Sequence, residues 1–125
     1  RDEMVILDME AGIEHLGRGI AQSVTAMIVV VDAGARSLQT ARSVRQLANA
    51  IGIEQVVAVA NRLLPDQSVE TLRDSLGDVP LVAVLPYDPD ILRADMENRS
   101  PYTGTPAQKA SMEQLMDALG EMTEA

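Results

Sequence analysis

The sequence predicts an α/β fold, a mostly parallel sheet of about four strands flanked by helices. Four short runs rich in β-branched residues, 4–9, 26–32, 55–61 and 80–85, are apolar at both parities. That pattern marks strands covered on both faces, as in a parallel sheet. Helical spacing fills the intervals between them, which is the order expected of βαβ units joined by right-handed crossovers. With no Phe and no Trp, the core is expected to be built from Val, Ile, Leu, Ala and Met.

The first run, 4–9, contains "VILD" and passes at once into a loop with Glu10, Gly12, Gly17 and Gly19. The second is followed by Asp32, Gly34 and Ser37, a plausible N-cap for a helix with Leu38, Ala41, Val44, Leu47, Ala48 and Ile51 on one stripe and Gly52 as its stop. Residues 68–76 repeat the plan, with Gly77 at the end. After the fourth run, Asp88-Pro89 reads as the cap and first residue of a short helix. Thr105, Pro106 and Gln108 make a capping-box-like start to a last helix striped by Met112, Leu115, Met116, Leu119 and Met122.

The chain has 125 residues of even texture, read as a single incomplete domain over 1–125. It begins with Arg1 and enters its first strand signal almost immediately, which reads as a piece of a longer protein. A net charge of −9 opposes phosphate backbones and anionic lipids, so neither nucleic acid nor membrane is expected as a partner. The acidic polar face of the last helix, with Glu113, Asp117, Glu121 and Glu124, argues the same way and favours a core-packing helix. No apolar run is long enough to span a bilayer. The absence of cysteine excludes thiolate metal sites and fits a cytoplasmic setting.

In a parallel sheet the chemistry gathers beyond the C-terminal ends of the strands. Those ends carry Asp8 with Glu10 and Gly12, Asp32 with Gly34, Asn61 with Arg62, and Pro86 with Asp88. Turn formation alone accounts for part of this set, because Gly, Asp, Asn and Pro are ordinary turn residues. An Asp that closes an apolar strand is also how phosphate-binding NTPases hold Mg²⁺, and glycines after it suit a phosphate-sensing loop. His15, with Glu10 and Glu14, offers a poor metal set and reads better as a switch-loop or partner-facing residue.

The stretch "RDEMVILDMEAGIEHLGRGIAQSVTAMIVVVDAGARSLQTA", with "VAVANR" and "VLPYDPDI", resembles the C-terminal half of the MinD/ParA class of deviant-Walker P-loop ATPases. Its "DMEAGIEHLGRG" wording is most similar to the CooC type, the carbon monoxide dehydrogenase maturation ATPases associated with nickel insertion. The resemblance implies a partial P-loop NTPase fold of the SIMIBI kind that lacks the Walker A strand and loop. It implies Asp8 as the Walker B aspartate linked to Mg²⁺, and Met9 to Gly12, with Glu10, as the switch II segment. Asn61 and Arg62 fall beside the adenine, while Pro86, Tyr87 and Asp88 match the loop that closes over the base. ATP and Mg²⁺ are then the cofactors of the full-length parent, a homodimer that serves a metalloenzyme client such as carbon monoxide dehydrogenase.

The departures limit what this chain does alone. A P-loop ATPase needs a glycine-rich loop and Lys to cradle phosphate, and the chain's one lysine, Lys109, sits in a helical pattern. No ATP hydrolysis and weak or no nucleotide binding are therefore expected of the isolated chain. The alternative is a non-catalytic interaction module that keeps the fold and binds a partner protein. In the parent fold the P-loop strand lies between the run at 4–9 and the run at 26–32. Those two runs are accordingly expected to pair directly or to recruit a partner chain.

Overall fold

The computed structural model describes residues 3–8 and 24–124 of the chain. Three strands, β1 (Ala26–Val31), β2 (Gln55–Leu63) and β3 (Leu81–Pro86), form a parallel sheet in the order β1-β2-β3. Four helices accompany them: α1 (Ala35–Ala50), α2 (Val69–Leu76), α3 (Pro89–Met96) and α4 (Pro106–Glu124). Strands and helices alternate as the apolar runs and helical stripes predict.

One face of the sheet is covered by α1 and α2. Leu38 and Ala41 of α1 and Leu72 and Leu76 of α2 pack with Val31, Ala58, Ala60, Leu63 and Leu81 in one buried cluster. A second cluster joins Ala48 of α1, Ile53 and Val56 at the other end of the same face. Val57 and Val59 point the opposite way, since side chains alternate along a strand, and they are buried as well. Helix α4 packs on β3, where the Ser111 Oγ donates to the Val84 carbonyl at 3.0 Å and allows a buried hydroxyl inside an apolar contact.

The helix ends follow local chemistry. The Ser68 Oγ accepts from the Thr71 N–H at 3.3 Å, and Gly77, at φ 63°, ends α2 in a backbone state that L side chains rarely adopt. Asp88 caps α3 through the Asp90 N–H, with Pro89 next in line. The Thr105 Oγ1 accepts from the Gln108 N–H at 3.3 Å, but the Gln108 side chain reaches past Thr105 to the Thr103 and Gly104 N–H groups. The box therefore closes one or two residues earlier than its usual form.

Several expectations are corrected. The run at 4–9 is not a strand over its described part: Met4, Val5, Ile6 and Leu7 are exposed, and β1 pairs with β2 alone among the described residues. An apolar run becomes a strand only when a neighbour takes its backbone hydrogen bonds and layers cover both faces. Among the described residues the sheet thus has three strands where about four were expected, and the expected direct pairing of this run with β1 is not formed there. Helix α1 starts on Ala35 after Gly34, so Ser37 lies in its first turn rather than at the cap. Met116 is 54% exposed and leaves the buried stripe of α4 to Leu119 and its neighbours.

Two irregularities interrupt the pairing of β2 with β3. Ala58 faces Leu81 while Val59 faces Ala83, so Val82 is an extra residue on β3. Ala60 faces Val84 while Leu63 faces Pro86, so β2 carries the extra residue at Asn61-Arg62. Bulges of this kind re-aim side chains near sites and at sheet ends.

Candidate nucleotide site

The C-terminal ends of β1, β2 and β3 lie side by side, because the strands are parallel and consecutive in the sheet. This single geometric fact gathers Asp32, Asn61, Arg62, Pro86, Tyr87 and Asp88 along one edge. Asn61 and Arg62 occupy the β2 bulge, and Arg62 adopts φ 54°, an uncommon backbone state for a residue with a side chain. Asn61 is half-buried, Arg62 exposed.

Arg62 spans to the neighbouring strand end. Its Nη2 lies 2.7 Å from Asp32 Oδ2 and its Nε 3.4 Å from Oδ1, a side-on pair across the ends of β1 and β2. Asp32 raises the Arg62 pKa above its ordinary value, first by the hydrogen bond and then by charge. The backbone N–H of Asp32 donates to the Ser37 Oγ at 3.0 Å, which ties the turn after β1 to the first turn of α1.

On the other side, the Tyr87 N–H donates to the Leu63 carbonyl at 2.8 Å, and this bond carries the pairing of β2 and β3 past the last strand residue. Beyond it opens a largely apolar groove of about 170 Å³, floored by Leu85, Pro86, Ile91 and Met112 and edged by Asp88 and Tyr102. The Gln108 Nε2 donates to the Pro101 carbonyl at 3.1 Å, so the same glutamine that starts α4 also fixes the rim of the groove.

The expected site residues thus divide. Asn61 and Arg62 immediately precede Leu63, which pairs with Pro86 and accepts from the Tyr87 N–H, so the four share one end of the sheet, and Pro86 and Asp88 also line the groove. Asp8 lies on an exposed segment that is not a strand. Glu10, Gly12 and His15 lie outside the described residues. Mg²⁺ takes an octahedral oxygen set at about 2.0–2.1 Å, toward which Asp8 can offer one carboxylate. Among the described residues no group of three or more His, Asp or Glu could hold a metal ion. Sequence reasoning left Asp32 without a role and missed the groove residues Tyr102 and Ser111. Asp32 was legible in principle, since a carboxylate and a guanidinium ending adjacent parallel strands are within reach of each other.

No family model matches the chain. It is 39% identical over 121 residues to the carbon monoxide dehydrogenase accessory protein CooC of Rhodospirillum rubrum, a match covering 97% of the chain and 46% of that protein. It is 36% identical over 98 residues to an ATP-binding protein of Methanocaldococcus jannaschii, covering 76% of the chain and 38% of the relative. The chain therefore spans less than half the length of the curated relatives it matches. In fold it superposes on the MinD cell division protein of Aquifex aeolicus with a TM-score of 0.61 at 22% identity, over 74% of the chain and 43% of that structure. A ParA family ATPase from Chlorobium tepidum gives a TM-score of 0.54 at 18% identity, over 77% of the chain and 44% of that structure. The chain is thus similar in sequence to CooC along nearly its whole length and shares the fold of MinD and ParA.

Proposed function

We propose that this chain is the C-terminal part of a MinD/CooC-like ATPase and supplies the base-binding side of its nucleotide site. The observation that carries the reading is the convergence of Asn61, Arg62, Pro86 and Tyr87 at the ends of two paired strands, in a chain whose relatives are named as ATP-binding. The Asn61 amide offers both a donor and an acceptor, the pattern a purine edge requires. The flat Arg62 guanidinium can stack on a base face, and the Pro86-Tyr87-Asp88 loop supplies the opposing wall.

Asp8, Glu10 and Gly12 are assigned to the Walker B and switch II segment of the whole protein. There Asp8 contributes one carboxylate toward Mg²⁺, and the remaining ligands come from groups beyond the described residues. The reaction served is nucleotide-dependent maturation of a metallocentre, with nickel as cargo and a metalloenzyme such as carbon monoxide dehydrogenase as client, carried out by a homodimer.

Calorimetric titration with Mg-ATP tests the proposal. The full-length protein is expected to bind at micromolar affinity, while residues 1–125 alone bind weakly or not at all and hydrolyse nothing, because no phosphate-cradling lysine loop is present in them. Absence of binding by the full-length protein would overturn the reading in favour of a non-catalytic interaction module.

A further inference from the structure

We propose that Asp32 is a positioning residue that holds the Arg62 guanidinium in place as the cationic face of the base pocket, an inference that rests on the nucleotide reading above. A long arginine on an exposed strand end has many rotamers available, and stacking on a base selects few of them. Arg62 is 67% exposed at its side chain, so packing does not choose among those rotamers. Asp32 does. It accepts from Nη2 at 2.7 Å and Nε at 3.4 Å, fixing the plane of the guanidinium by one edge. Among the described residues that edge engages Nε and Nη2 alone, leaving the Nη1 end and the flat faces for a ligand.

Two further features favour orientation over stability as the role of this pair. Asp32 is itself anchored, since its N–H donates to the Ser37 Oγ at 3.0 Å, so the carboxylate is presented from a pinned turn rather than a loose one. Arg62 occupies a left-handed backbone state, φ 54°, within the β2 bulge, a conformation kept at some cost. Sterically uncommon backbone at a bulge redirects a side chain, and here it brings the guanidinium across to the end of β1. An ion pair this exposed adds little to folding. Its removal therefore reports on the site rather than on the scaffold.

The test is a double-mutant cycle in the full-length protein, read by Mg-ATP affinity and by melting temperature. Asp32→Asn is expected to weaken ATP binding about two- to fivefold, within the range of an exposed ion pair. Asp32→Glu should recover most of that loss. In an Arg62→Ala background, Asp32→Asn should cost nothing further, because the residue it orients is gone. Melting temperatures should stay level throughout. Unchanged affinity in Asp32→Asn overturns the inference, and so does an equal loss with and without Arg62. If the unmodified full-length protein fails to bind Mg-ATP, the nucleotide reading falls and the inference with it, an outcome distinct from the other two.

Discussion

Arg62 and Gly77 both hold positive φ, at 54° and 63°, and they do so for different ends. Gly77 closes α2 where any side chain would be strained. A Cβ there meets only the Arg42 Cδ at 3.9 Å, an ordinary contact, so the cost of Gly77→Ala lies in the backbone. We expect a loss of about 1–2 kcal/mol, seen as a lower urea midpoint with an unchanged m-value. Arg62 is the reverse case: glycine would suit its backbone better. Arg62→Gly is expected to leave the melting temperature no lower while removing the guanidinium from the site, so thermal melting and Mg-ATP titration of the full-length protein should diverge. The sequence announces Gly77, because glycine is the residue type for such a turn. It does not announce the Arg62 conformation, which arises from a bulge defined only once β2 and β3 are paired.

Among the elements, those with local signals were the most legible. Ser68, Asp88 and Thr105 act as caps where their residue types and spacing place them. Gln108 goes further, because its Oε1 accepts from the Thr103 N–H at 2.9 Å and the Gly104 N–H at 3.0 Å while its Nε2 holds the Pro101 carbonyl. Gln108→Ala is expected to cost about 1 kcal/mol, at the level of a lost helix cap. Hydrogen exchange should locate the change, with the Gly104 amide losing protection before the sheet does. The described part of the run at 4–9 departs from its sequence pattern because its composition describes a strand with neighbours, and neighbours are not a property of the run. The exposure of Ile6 at 73% and Val5 at 80% records their absence among the described residues. Ile6→Lys should accordingly be near neutral for the stability of residues 1–125, within about 0.5 kcal/mol by denaturation. In the full-length protein, where the proposed fold pairs and covers this run, the same change is expected to lower the melting temperature sharply.

At the scale of the molecule, the parallel order β1-β2-β3 and its helical cover were readable from apolar runs and stripes. The cluster that joins them is built without Phe or Trp, so single aliphatic residues carry a large share of it. Leu76, fully buried between α2 and the sheet, illustrates this: Leu76→Ala is expected to cost about 2–5 kcal/mol, enough to unfold a marginal domain, and far-UV circular dichroism would register it. The paired bulges were not readable, yet they bear on the whole arrangement. The extra residue on β3 at Val82 and the extra residue on β2 at Asn61-Arg62 cancel, so Leu63 meets Pro86 in the alignment that Ala58 and Leu81 began. They behave like an insertion and a deletion that restore a reading frame, with only the short interval between them out of phase. Deleting Val82 alone would close the β3 bulge and leave Val59 opposite Ala83, Ala60 opposite Val84 and Leu63 opposite Pro86, so the site edge is expected to keep its register. Deleting one residue of the Asn61-Arg62 pair as well would remove the remaining bulge and straighten the edge, keeping the fold while dispersing the site.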